Sequence, residues 1–168
     1  MLRPNNFFQN DEWLRQPLLE YGVYPQPIGN KGLHRVDVRD IADAVVNALL
    51  TGEHTNKAYN LVGPHLLTGE SIAKTYTKYI GKNVVYAGDD LDRWAEQAGK
   101  MMPTWMVKDL VIMFRHFQNH GLVATPDHHL ETERILGKKP RTFDAFVVET
   151  VGAWKQQAAV TATQKETT

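Results

Sequence analysis

Residues Val36 to Leu50 change their hydrophobic period within a few positions, and no other stretch restricts the possible folds as much. Val36 and Val38 alternate with polar residues, as on a strand. From Ile41 the apolar positions become Ile41, Ala44, Val45, Ala48 and Leu49, the i, i+3, i+4, i+7, i+8 stripe of a half-buried helix. Asp40 stands where an N-cap is expected, and Asp43 adds negative charge at the positive end of the helix dipole. Gly52 follows the last periodic residue and predicts the stop. A strand feeding directly into such a helix predicts a layered α/β protein.

The remaining chain extends that pattern. Leu2-Arg3-Pro4-Asn5-Asn6 reads as a strand end and a turn. A short helix through Trp13 and Leu14 is expected to stop at Pro17, and Tyr21–Tyr24 reads as a weak strand. Gly29-Asn30-Lys31-Gly32 suggests a hairpin turn ahead of the strand ending at Val38. Lys57–Val62 alternates as a strand, and Val84–Tyr86 is a short apolar one. Helices are predicted after Thr68 with Ser71 at the third position, after Asp89 or Asp90, from Trp105 to Asn119, from Thr125-Pro126 to Leu136, and from Thr142. The chain therefore holds a few short strands and about six or seven helices. Residues 1–155 form one body, and 156–168 lack apolar periodicity and are expected to be a disordered tail.

Composition narrows the function. With 168 residues, 42% hydrophobic and 23% charged, the chain can build one ordinary soluble core. Nineteen basic residues balance nineteen acidic ones, which gives no electrostatic basis for nucleic acid or an anionic membrane as partner. There is no cysteine, hence no disulfide framework or thiolate metal site. No apolar run approaches a membrane span of about 18 residues, and the N-terminus lacks the apolar core of a signal peptide, so a cytoplasmic location is expected.

Each chemical motif has a competing structural explanation. A dinucleotide site needs a glycine-rich turn between a strand and a helix, because only backbone without Cβ lets pyrophosphate reach the helix N-terminus. The sequence has no G-x-G-x-x-G, no Walker pattern, and no tyrosine followed four positions later by lysine. His116 and His120 lie four apart on a helix but lack an intervening glutamate or a third ligand, so no metal site is assigned there. Asp127-His128-His129 with Glu131 and Glu133 reads as a solvated face. Asp37, Arg39 and Asp40 fit capping and a buried ion pair better than a catalytic carboxylate pair. Phe7, Phe8 and Trp13 could belong to the core or line an apolar ligand pocket.

Five blocks together resemble the NmrA-like proteins, atypical short-chain dehydrogenases/reductases. These are Leu2-Arg3-Pro4-Asn5-Asn6-Phe7-Phe8-Gln9-Asn10, Val36–Ala42, Tyr59–Pro64, Leu67–Ile72 and Gly137–Phe146. The first is similar to the family's LRP-x-x-F-M-x-N stretch. The resemblance implies a Rossmann-like NAD(P)-binding fold with a smaller helical substrate part, acting on a small-molecule acceptor such as a quinone or carbonyl compound. By the same resemblance Pro4 and Asn5 lie near the cofactor, and Phe7, Phe8 and Asn10 form the substrate wall. No residue is assigned to catalysis or to a metal.

The blocks the family places ahead of these are absent, namely the phosphate-binding turn, its helix and the ribose-reading loop. The chain is thus expected to be the C-terminal, substrate-side portion of an NmrA-like NAD(P)H-dependent oxidoreductase, without the N-terminal βαβ half. Alone it is expected neither to bind NAD(P) tightly nor to turn over, and to expose an apolar face that favours self-association. The alternative is a non-catalytic NAD(P)-sensing or regulatory module that binds another protein.

Overall fold

In a computed structural model, the backbone of residues 1–166 and the side chains of residues 1–157 are described. All but the first two residues of the tail expected at 156–168 lie outside the described side chains. Two short parallel sheets organise the chain. In one, β1 (Leu2–Pro4) pairs with β3 (Tyr59–Leu61) in the register Leu2–Tyr59, Arg3–Asn60, Pro4–Leu61. In the other, β2 (Val23–Tyr24) pairs with β4 (Val85–Tyr86). Parallel pairing requires crossover connections, and helices supply them. These are α1 (Val38–Thr51) between β1 and β3, and α2 (Gly69–Ile80) before β4. Helices α3 (Leu91–Ala98), α4 (Thr104–His120), α5 (Pro126–Leu136) and α6 (Phe143–Glu166) follow.

The helix ends have local causes. Thr68 and Ser71 form a reciprocal capping box at α2, and Thr125 and His128 form another at α5. Asp90 caps α3 by accepting from the Arg93 amide. At the central junction the expectation needs correction, because α1 begins at Val38 and its N-cap is Asp37, not Asp40. The Asp37 carboxylate accepts from the Arg39 backbone N–H at 2.9 Å, which ends the extended stretch at Val36. Asp40 lies inside the first turn, buried, where its carboxylate accepts from the Arg141 guanidinium and backbone amide.

Pro17 does not stop a helix either. It opens a π-helical turn, Pro17–Tyr21, where a missing N–H costs nothing, and Gly22 at φ 64° ends that turn. No hairpin forms at Gly29–Gly32. The residues after that turn bridge instead to Leu67 and, in parallel, to Leu122. Leu33 N–H and C=O exchange hydrogen bonds with Leu67, while the His34 amide donates to Leu122 O at 3.0 Å.

Two apolar clusters follow from these placements. The larger gathers Phe8, Leu18, Tyr24, Ile28, Tyr76 and Phe117 with the Phe143, Phe146, Val147 and Trp154 face of α6. The smaller packs Ala44, Tyr59, Leu61, Ile135 and Leu136 between α1, β3 and α5. Among the described residues no helix is long and apolar enough to cross a membrane.

Candidate functional site

The carboxyl end of β1 opens into a cleft of about 360 Å³. Ligands of open α/β folds bind beyond the carboxyl ends of parallel strands, where loops diverge. Pro4, Phe7, Phe117 and Leu122 give it apolar walls, and Asn5, Asn6 and Asn10 give it amides. No ionisable side chain is among these lining residues. Four of the five residues singled out in the sequence, Pro4, Asn5, Phe7 and Asn10, therefore come together. Phe8 does not join them and is corrected to a core residue. It is 1% exposed, with its ring 5.2 Å from that of Phe143 and 5.6 Å from that of Phe146. Neighbours in an extended segment point to opposite sides, so Phe7 on the cleft places Phe8 in the core.

The cleft wall is anchored from beneath by a network that sequence reasoning missed. Arg35 and Asp11 are both fully buried and joined at 2.9 Å. Tyr24 and Tyr76 donate their hydroxyls to the two Asp11 oxygens at 3.4 and 3.2 Å. The Arg35 guanidinium also donates to Phe7 O at 2.5 Å and Phe8 O at 3.4 Å, which fixes the backbone of the wall. Burial, and then the adjacent Asp11 charge, raises both tyrosine pKa values well above normal, so the hydroxyls stay protonated donors. Burial opposes the Arg35 charge, but Asp11 and the Tyr24 and Tyr76 hydroxyls together outweigh it and raise its pKa. The available signal was periodicity. Asp11 falls three after Phe8 and three before Leu14, on an otherwise apolar stripe.

The other candidate clusters have structural roles. Asp37 pairs with Arg39 at 2.7 Å besides capping α1. His128 takes part in the α5 capping box, and Glu131 accepts from the Asn60 amide at 3.3 Å. The His116 and His120 rings stack at 4.8 Å, but no group of three or more ligating side chains occurs among the described residues.

His34 holds the far wall. Its Nδ1 accepts from the Ala124 amide at 2.9 Å, and its ring meets that of His129 edge-on at 4.9 Å. Burial, then the neighbouring His129, lowers the His34 pKa. A histidine whose folded pKa lies below its unfolded value contributes stability fully above about pH 6.5. That contribution is lost as pH falls below the unfolded value toward the lower folded one. Thermal melts from pH 7.5 to 5 are expected to show a fall in stability that His34→Gln reduces; an identical slope in the variant would contradict the assignment.

The parts of the chain that could hold a dinucleotide are unequal. The uncharged cleft fits a flat nicotinamide-sized ring. Four of the helix N-termini do not fit a pyrophosphate. Side chains already occupy those of α1, α2, α3 and α5, two of them aspartates that would repel an anion. Gly69 is small for another reason, since a Cβ there would lie 2.3 Å from the Tyr86 ring.

No family model matches the chain. It is 30% identical over 151 residues to an NAD(P)H azoreductase of Xenophilus azovorans, a match covering 86% of this chain and 50% of that protein. It is 31% identical over 122 residues to agroclavine dehydrogenase of Claviceps fusiformis, covering 71% and 40%. An Escherichia coli NADPH-dependent quinone oxidoreductase complexed with NADPH superposes with a TM-score of 0.78 at 21% identity, over 88% of this chain and 51% of that one. A Citrobacter sp. triphenylmethane reductase complexed with NADP(H) gives 0.76 at 19%, over 89% and 51%. The fold is that of about half of an NAD(P)-binding reductase. The chain spans half or less of the length of the curated relatives it matches.

Proposed function

We propose that this chain is the substrate-side, C-terminal portion of an NmrA-like NAD(P)H-dependent oxidoreductase that reduces a flat quinone-like or carbonyl acceptor. The observation that carries the reading is the uncharged cleft at the carboxyl end of β1, where Pro4, Asn5, Phe7 and Asn10 converge. The azoreductase, quinone oxidoreductase and triphenylmethane reductase likenesses support the same reaction class. A bound nicotinamide would supply the hydride; the residues here orient its ring and the acceptor and exclude water around Phe7, Phe117 and Leu122. Pyrophosphate binding is assigned to a second, glycine-bearing half, because the four capped helix ends of this one do not fit it and its sequence holds no G-x-G-x-x-G turn.

The sheet and α1 support a two-part protein. A two-stranded parallel sheet is too small to stand alone, and such sheets are ordinarily covered on both faces. Arg3 and Pro4 of β1 are exposed. The outer face of α1 presents Val45 and Val46 with Leu49 and Leu50, the last two about 80% exposed. Without the second half this face drives self-association. Sedimentation is expected to show concentration-dependent association that Leu49→Lys with Leu50→Lys abolishes, and a monomer at all concentrations would contradict it.

The acceptor reading is tested by titrating the ¹⁵N-labelled chain with menadione, a neutral quinone. Shifts are expected at Asn5, Phe7, Asn10, Phe117 and Leu122. A response confined to other residues, or none at saturating quinone, would overturn the reading in favour of a module without an acceptor site.

A further inference from the structure

The geometry points to Asn5 as a specificity-determining residue, one that presents the cleft with a fixed hydrogen-bond acceptor and so selects a ligand ring bearing an N–H donor. Under the proposed function, on which this rests, that donor is the primary carboxamide of a nicotinamide ring.

A primary amide has two N–H donors and one carbonyl acceptor. Both Asn5 donors are engaged, one with His34 O at 3.1 Å and the other with Leu122 O at 3.3 Å. The Asn5 backbone is fixed as well, its N–H donating to Leu61 O at 3.0 Å. The orientation of the amide follows from these neighbours. A flip would bring Oδ1 against two carbonyl oxygens and leave His34 O without a donor, while Leu122 O would keep only the His34 amide. Oδ1 is therefore the group left for a ligand, and it can accept but not donate. It is also accessible, since Arg35 Nε is the one buried side-chain polar atom without a partner among the described residues.

Asn6 and Asn10 differ. Neither side chain makes a hydrogen bond among the described residues, so each can turn its donor or its acceptor toward the cleft. The cleft is thereby divided. A ring with an N–H group is matched at Asn5, and a ligand carbonyl, which offers only lone pairs, is matched at Asn6 or Asn10.

The test compares two ligands of the same charge and nearly the same shape, nicotinamide mononucleotide and its 3-acetylpyridine analogue, in which a methyl group replaces the amide nitrogen. Each is titrated into the ¹⁵N-labelled chain while the Phe7, Phe117 and Leu122 amides are followed. The nicotinamide form is expected to bind about tenfold more tightly, the effect of one hydrogen bond in an open site. In Asn5→Ala the preference is expected to fall to about one. If that variant does not fold, the preference of the unchanged chain decides. Equal affinities in the unchanged chain overturn the role of Asn5 while leaving the cleft assignment intact. If neither ligand shifts the cleft amides, the nicotinamide assignment fails and the inference fails with it.

Discussion

Asp11→Ala is expected to destabilise the chain by about 3–5 kcal/mol, the cost of breaking a buried ion pair by removing one partner. The mutation leaves the Arg35 guanidinium charged and buried, and it removes the acceptor for the Tyr24 and Tyr76 hydroxyls. A loss of that size is comparable to the whole stability of many domains, so the variant is expected largely unfolded at 37 °C. Urea unfolding followed by circular dichroism measures it. Combining Asp11→Leu with Arg35→Met removes both charges and is expected to recover part of the loss, because an apolar pair needs no partner. A single-mutant effect below about 1 kcal/mol would mean that the network contributes little. The Phe7 carbonyl held by Arg35 belongs to a residue of the cleft wall, so the cleft amides are expected to broaden as the fold weakens.

The second large effect is expected at Gly63. A Cβ placed there would lie 1.8 Å from the carbonyl oxygen of Arg35 and 3.4 Å from the Phe8 ring. The obstructing atom is backbone, which cannot rotate away as a flexible side chain can. The adjacent Val62 amide is also fixed, donating to buried Thr132 Oγ1 at 3.1 Å. Gly63→Ala is therefore expected to cost about 3 kcal/mol or more, near the upper end for added bulk. By contrast Gly137→Ala, whose Cβ would meet nothing within 4 Å, carries only the strain of φ 66°. Urea midpoints of the two variants compare them directly, and equal losses would contradict the packing argument.

What the sequence revealed, and what it concealed, follows the range of the interactions. Thr68 with Ser71, Thr125 with Pro126, and Gly121 and Gly137 as stops were legible because a cap is decided within a few residues. The α1 cap was not, because Asp37, Asp40 and Asp43 recur at helical spacing and each could serve. Asp40 and Asp43 face Arg141 about a hundred positions away, and only that contact distinguishes their roles. The union of Leu33 and His34 with Leu122 likewise has no local signature, so Gly29–Gly32 resembled a hairpin turn.

The site was legible to a similar degree. The block at Leu2–Asn10 identified the cleft through its resemblance, but Phe7 and Phe8 are alike in chemistry. Only the extended backbone before the following turn decides which one faces the core. Arg35 and Asp11 are distant in sequence, and although Asp11 interrupts an apolar stripe, nothing local pairs it with Arg35 until the fold buries both.

The central claim is that these residues provide the ring end of a reductase cleft without a seat for pyrophosphate. Isothermal calorimetry of the chain with NADPH tests it most directly. No heat of binding is expected at micromolar concentrations. A saturable isotherm with a micromolar or tighter dissociation constant would contradict the account, because it would require these residues to hold the whole dinucleotide.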